Sequence, residues 1–327
     1  MENKEVLIHT ENVKKYFPYS EGFQTKYVKA VDNISLDIFK GETIGLVGES
    51  GCGKSTFGRC VLRLFDISGG KVEFEGKDIY AMNQKELIRQ RRNMQLIFQD
   101  PLASLNPRLR IRQIVEEPLH FHKEQLDFDI HDKKKVAELV NDTLKAVGLD
   151  PDVGDRYPHE FSGGQQQRVG IARALILRPD FIVCDEAVSA LDVSVQSQVL
   201  NLLQDLKKKY NLTYMFISHN LSVIKHVCDR IAVMYLGQVV ELADKKTLFE
   251  NPVHPYTKAL ISAIPIPDPE KKRKRILLEG DIPSPMNPPS GCHFHTRCYE
   301  CGENCDQKEP QMVEIEPGHF VACNKFT

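Results

Sequence analysis

Three clusters of residues carry types and spacings that can do chemistry. The first, Gly48-Glu49-Ser50-Gly51-Cys52-Gly53-Lys54-Ser55-Thr56, satisfies the phosphate-loop pattern G-x-x-x-x-G-K-[ST] at every fixed position. Its glycines let the backbone turn tightly and bring N–H groups up to phosphate oxygens. Lys54 supplies a positive charge for the β- and γ-phosphates, and the Ser55 hydroxyl can ligate Mg²⁺. The second is the apolar run Phe181-Ile182-Val183-Cys184 ending in Asp185-Glu186. Asp185 at such a strand tip can hold Mg²⁺, and Glu186 can polarise a water for attack on a phosphate as a general base. The third is Phe161-Ser162-Gly163-Gly164-Gln165 before a helical segment. There Ser162 can cap the helix and the two glycines expose its first amides, a second anion site. One nucleotide does not need two such sites about 110 residues apart in sequence. Two chains packed head to tail would use both.

The elements that must position these residues are legible from periodicity. Thr43 to Val47 reads as a buried strand and Ser55 to Phe65 as a helix whose N-terminus faces the anion. Residues 5–12 and 28–38 read as short strands separated by a loop around Tyr16-Phe17-Pro18-Tyr19, with Asp32 the polar break in an apolar row. Met94 to Phe98 is a further strand, stopped at Pro101. From about Arg112 to Gly148 the period is helical. Phe181 to Cys184, Tyr214 to Ile217 and Ile231 to Tyr235 are uninterrupted apolar runs, as in strands covered on both faces of a parallel sheet. Strands alternating with helices around a phosphate loop predict an α/β fold with a mainly parallel sheet.

After about Asn251 prolines punctuate the chain, among them Pro265, Pro267 and Pro269, and Glu270 to Arg275 holds a basic run. This reads as a C-terminal extension with a linker-like start, separate from the sheet. Five of the nine cysteines crowd into it: Cys292, Cys298, Cys301, Cys305 and Cys323. Four soft thiolates at 292, 298, 305 and 323 suit an iron–sulfur cluster or Zn²⁺. Cys301 adds a C-x₂-C with Cys298. His293, His295 and His319 keep a mixed Cys/His zinc site open, and unliganded reduced thiols are the third alternative. A proline-rich tail of about 40 residues has too little apolar surface for its own core, so a bound metal would supply what packing cannot.

A chain of 327 residues with net charge −2 gives no argument for a nucleic-acid partner. No apolar run approaches the ~18 residues that span a bilayer. The first residues, Met-Glu-Asn-Lys-Glu-Val, lack the apolar core of a signal peptide. The expectation is a cytosolic chain with reduced thiols, reaching a membrane only through partners.

Taken in order, residues 48–56, Gln99, Ser162 to Gln165, Asp185-Glu186, Ser189-Ala190-Leu191-Asp192 and His219 resemble the motif set of ABC-transporter ATPases. That resemblance implies a mixed, mainly parallel core with an antiparallel N-terminal β subdomain and a helical subdomain at about 100–170, together spanning 1–250. It implies ATP and Mg²⁺ as ligands, with Gln99 contacting Mg²⁺ and the attacking water and sensing the membrane subunit. His219 would hold the γ-phosphate, Asp192 would belong to the D-loop as a residue of the nucleotide site, and an aromatic would stack on adenine. Spacing from Val13 and Lys15 favours Phe17 for that role, with Tyr16 the runner-up.

Phe98 to Arg108 and Asn251-Pro252 with His254-Pro255-Tyr256-Thr257 are similar to oligopeptide and dipeptide importers, as are Pro289 to Cys292 and His295 to Cys298. Membership of that family implies a motor subunit on the cytoplasmic face of the plasma membrane. Its partners would be a sister ATPase in a heterodimer, two transmembrane permeases and an extracytoplasmic peptide-binding protein. The importer extension would cover 251–327, and in some members the four cysteines at 292–323 look like a [4Fe–4S] site. A related nickel importer and a soluble non-transport ABC ATPase are the alternatives. Two departures stand out. Phe161 replaces the usual Leu of the signature, and Ala187 replaces the usual Pro after Walker B, leaving the backbone after Glu186 less constrained.

Overall fold

The computed structural model describes residues 5–22, 24–264 and 275–326, so the prolines at 265–269 and most of the basic run lie outside the described residues. The chain divides into two compact units. Phe39–Gly41 and Ala81–Met215 form a helical unit, and Glu5–Ile38, Glu42–Tyr80 and the chain from Phe216 onward form a phosphate-loop unit.

The phosphate-loop unit contains two sheets. In the first, the strands Gln24–Phe39, Val6–Glu21, Gly69–Phe74 and Lys77–Asp78 lie side by side in that order. Ile8 stands opposite Phe74 and Thr10 opposite Val72. The first two strands each run for 16 residues, longer than the expected short strands, and the expected Tyr16–Tyr19 loop lies inside the first. Backbone pairing explains this. A register shift between Glu11 and Lys14, with Asn12 at φ 49, lets the strand continue to pair Lys14 with Gly69. The Tyr16 N–H then donates to Ser68 Oγ at 2.9 Å. Asp32 accepts from the Tyr16 hydroxyl and sits 3.6 Å from Lys29 Nζ, so the polar break in the apolar row is satisfied rather than solvated.

The second sheet orders Met312–Glu316, His319–Ala322, Gln238–Asp244, Arg230–Tyr235 and Thr43–Val47. Thr43–Val47 and Arg230–Tyr235 run parallel, and all five residues of the former are buried. The expectation that the tail stands apart from the sheet is overturned. His319–Ala322 pairs antiparallel with Gln238–Asp244, Val321 opposite Glu241, and Met312–Glu316 adds the outer strand. The tail thus gains by edge addition the apolar burial it could not assemble alone, with Phe294, Val321, Ala322 and Cys323 all buried. The helix after the phosphate loop spans Lys54–Val61 and ends short of the expected Phe65, because Arg63 turns left-handed at φ 48.

In the helical unit, Met94–Ile97 and Phe181–Asp185 form a parallel pair with Leu96 opposite Val183. Around them lie Ile111–Phe121, Lys133–Ala146, Gly163–Leu175 and Val193–Tyr210. The helical stretch expected at 112–148 is therefore two helices. The first stops at His122, a 3-10 turn follows at Lys123–Gln125, and Asp132 starts the second by accepting from the Lys134 and Lys135 N–H groups at 3.1 Å. Ile114, Val115, Leu119, Val140, Leu144, Val169 and Ile171 form its apolar interior. Among the described residues no helix is long and apolar enough to cross a membrane.

Candidate nucleotide-binding site

The phosphate loop leaves a buried strand and enters a helix, as its chemistry requires. Two of its glycines are irreplaceable on steric grounds. At Gly48 (φ 154) a Cβ would lie 2.2 Å from the Met234 carbonyl oxygen, and at Gly53 (φ 103) 1.9 Å from that of Ala30. Lys54 is buried, and its ammonium donates to the carbonyls of Gly48 and Glu49 at 2.9 Å each and lies 3.6 Å from Cys52 Sγ. The cation is thus held over the loop that must receive phosphate. Burial pushes the Cys52 thiol above its ordinary range, against the opposing pull of Lys54, so Cys52 is a packing residue. Ser50 and Gly51 are at the exposed crest of the loop, while Ser55 and Thr56 lie in the first turn of the helix.

Two more expected residues belong to this unit. Ser218 donates its N–H to the Leu46 carbonyl at 3.2 Å, which brings exposed His219 to the same strand end that launches the phosphate loop. Phe17 is half-buried, edge-on to Phe65 at 5.6 Å, with Lys15 Nζ 4.8 Å from its ring centre. Tyr16 is committed to Asp32, and its phenol is shifted far upward, first by burial and then by that carboxylate.

In the helical unit, Asp185 closes its strand almost fully buried, and Glu186 follows in the left-handed region at φ 48. A non-glycine residue there costs of order 1–3 kcal/mol and is retained where the surroundings demand it. The Glu186 Oε2 accepts from Gln99 Nε2 at 3.0 Å, so two residues 87 positions apart in sequence meet. Ala187 is buried, and the turn after Glu186 closes through Ser189 N–H and Oγ to the Glu186 carbonyl at 3.0 and 2.9 Å. A proline is therefore not what holds this turn. Asp192 caps the following helix, accepting from Val195 N–H at 3.0 Å and Ser194 Oγ at 2.7 Å. These bonds, the Val195 amide first, hold its carboxyl below the usual range.

Ser162 caps Gly163–Leu175 in a capping box. Gln165 N–H donates to Ser162 Oγ at 3.4 Å, and Ser162 N–H donates back to Gln165 Oε1 at 3.0 Å. Gly163 is exposed, but Gly164 is buried, and a Cβ there would meet Val195 at 2.3 Å. Only the first glycine fits the expected role of opening the helix end. The second permits close packing against the neighbouring helix, a requirement with no local sequence signal.

The thiols of Cys292, Cys298, Cys305 and Cys323 lie within one another's electrostatic reach, and Cys301 neighbours Cys298 and Cys305. Burial, then these neighbours, pushes Cys292 and Cys298 up to about 11. Among the described residues, no group of three or more His, Cys, Asp or Glu is arranged to hold a metal ion. His293 faces the Leu236 carbonyl through Nδ1 at 3.3 Å, and His319 Nε2 donates to Glu241 at 2.8 Å. Sequence reasoning missed Tyr256, Arg297 and Glu241. The first two were visible only as parts of family-like strings, and nothing in either string points to Glu49, which both of them contact.

A phosphate loop between buried strand and helix, with a carboxylate pair at a second strand tip and a capped helix start before it, defines an ATP-binding-cassette ATPase. A family model described as "ABC transporter" matches residues 31–189, and one described as "Oligopeptide/dipeptide transporter, C-terminal region" matches 240–305. The chain is 54% identical over 323 residues to "Putative oligopeptide transport ATP-binding protein YkfD" of Bacillus subtilis, covering 98% of this chain and 95% of the relative. It is 51% identical to "Oligopeptide transport ATP-binding protein OppF" of Salmonella typhimurium, covering 99% and 98%. Among solved structures, the ATP-binding cassette MJ0796 bound to ADP and Pi superposes with a TM-score of 0.64 at 29% identity, over 73% of this chain and 98% of that one. CbiO1 of Clostridium perfringens does so at 0.64 and 25%, over 76% and 92%. The chain belongs to the ATP-binding subunits of the oligopeptide/dipeptide branch of ABC transporters.

Proposed function

We propose that the chain is the motor subunit of an importer for oligopeptides or dipeptides, working with permease subunits at the membrane. The observation that carries this reading is that likeness to oligopeptide transport proteins runs through both the ATPase region and the C-terminal region. In this reading residues 1–250 are the ATPase domain, with a helical subdomain at about 100–170, and 251–327 the importer extension.

Lys54 neutralises charge on the β- and γ-phosphates, and the loop from Gly48 to Thr56 cradles them with backbone amides. Ser55, Asp185 and Gln99 are hard oxygen donors of the kind Mg²⁺ takes, and the cation supplies charge neutralisation at the phosphates. Glu186 takes the proton of the attacking water, Gln99 orients it, and His219 holds the γ-phosphate. The bond from Gln99 to Glu186 supports the pairing of those two roles. Phe17 stacks on adenine, supported by the commitment of Tyr16 to Asp32. Ser162 to Gln165 and Asp192 act across the boundary to a sister ATPase in a heterodimer. Phe98 and Leu102, 43% and 53% exposed beside Gln99, are apolar surface for a permease contact.

Glu186→Gln should retain ATP binding while turnover falls ~10²–10⁴-fold, the range for losing a general base. In cells the same change should stop uptake of a labelled tripeptide. Near-normal turnover would remove Glu186 as the base, and loss of Ni²⁺ uptake instead of peptide uptake would move the substrate to the metal.

For the cysteine lobe we place a [4Fe–4S] cluster ahead of Zn²⁺, on the four soft thiolates that Cys292, Cys298, Cys305 and Cys323 offer from one short segment. Protein purified without oxygen should carry about four iron and four sulfide per chain. About one zinc would move the assignment to a structural zinc site, and no metal with freely alkylated thiols would reject both.

A further inference from the structure

Glu49 is the one acidic residue between Gly48 and Thr56. A carboxylate in a loop that must hold a polyphosphate repels its own ligand unless it is neutralised. Glu49 is held at three points. Its N–H donates to Tyr256 Oη at 2.9 Å, its carbonyl accepts from Lys54 at 2.9 Å, and its carboxylate receives a fork from Arg297. Nη1 reaches Oε2 at 2.8 Å and Nη2 reaches Oε1 at 3.2 Å, the bidentate geometry that only arginine provides.

The Arg297 side chain is 7% exposed and that of Glu49 24%, so the pair is shielded and salt screens it less than a surface pair. Arg297 ends the 3-10 turn His295–Arg297, immediately before Cys298. The turn is anchored by Phe294, fully buried against Tyr235 and Tyr256 at 5.2 and 5.3 Å. The aromatic cluster that orients the hydroxyl on the Glu49 amide therefore also sets the direction of the guanidinium. A cavity of about 270 Å³ is lined by Glu49 to Cys52 and by the tail segment Ile282–Pro285, so the tail also walls the space beside the loop.

We propose that Arg297 is a positioning residue of the nucleotide site, cancelling the charge of Glu49 and fixing the first turn of the phosphate loop from the C-terminal lobe. The inference rests on the assignment of ATP to that loop, and it makes the cysteine lobe part of the nucleotide-binding machinery. A fastening role for the pair would stabilise the tail without touching affinity.

The test is isothermal titration of ATP with Mg²⁺ into the purified full chain, its R297Q variant and the double variant R297Q/E49Q. R297Q should bind about tenfold more weakly, with the defect shrinking as salt rises. The double variant, with no charge left to cancel, should recover to within about threefold of wild type. R297K, which keeps the charge, covers the case in which R297Q loosens the tail, and should bind at least about threefold better than R297Q. Wild-type affinity in R297Q, no recovery in the double variant, or equal loss in R297K and R297Q would each overturn the proposal. Failure of the wild type to bind ATP would instead overturn the nucleotide reading and this one with it.

Discussion

In the phosphate loop nine consecutive residues carry the whole device, and the strand before it and the helix after it follow from the same stretch of chain. In the cysteine lobe the thiols are spread from 292 to 323, and what places them is contact with residues far away in sequence. His319–Ala322 leans on Gln238–Asp244, Phe294 on Tyr235 and Tyr256, and Arg297 on Glu49. A device written locally forms once its own backbone dihedrals are set. A device written non-locally forms only after a sheet edge exists to receive it. The two also differ in completeness. The loop holds its cation against its own carbonyls at Gly48 and Glu49, whereas the thiols are gathered without converging as ligands among the described residues.

Three measurements press on this contrast. The largest effect is expected at Glu241, which is wholly buried. It accepts from the Val253 and His254 N–H groups at 2.9 Å each and from His319 at 2.8 Å. Glu241→Ala strands all three donors and should cost ~3–5 kcal/mol of stability in urea unfolding, as for a buried pair broken on one side. A loss below about 1 kcal/mol would show that the tail does not depend on this node.

Next is Lys54→Ala. It should weaken Mg–ATP binding by ~10²-fold or more, the value of a charge-assisted contact to phosphate, while leaving the unfolding of the tail unchanged. A tail that melted early in this variant would mean that the two devices are not separately built.

The smallest effect concerns pH. Burial, then the charge of Lys258, holds His254 down to about 3, and its neutral Nδ1 accepts the Tyr256 N–H at 3.1 Å. The unfolded chain takes up a proton near pH 6.5 that the folded chain refuses. The stability contribution is therefore intact above 6.5 and is lost as pH falls towards 3, at ~1.4 kcal/mol per pH unit. His254→Asn keeps an acceptor at the cap and loses this slope, so its stability gap to wild type should narrow between pH 6.5 and 5. A constant gap would assign the acid sensitivity to other groups.

Much of the site was legible because its chemistry is local. The phosphate-loop spacing, the carboxylates ending an apolar run and a serine three residues before glutamine each declare a backbone arrangement within a few positions. The strand character of Phe181–Asp185 and Arg230–Tyr235 was also readable, since burial on both faces leaves an unbroken apolar run. Three things were decided only by tertiary structure. Tyr16 to Tyr19 reads as a loop from its polar and proline content, yet pairing across from Gly69 draws it into a strand. Gly164 reads as a device for exposing amides, yet the approach of Val195 makes it a packing residue. The proline-rich tail reads as separate from the sheet, yet it completes the sheet's edge and reaches the phosphate loop through Arg297 and Tyr256. The physical reason is shared. Local dihedral preference and apolar period are properties of neighbouring residues, whereas an edge to pair with, a wall to pack against or a charge to neutralise is supplied by residues that only the folded chain brings near.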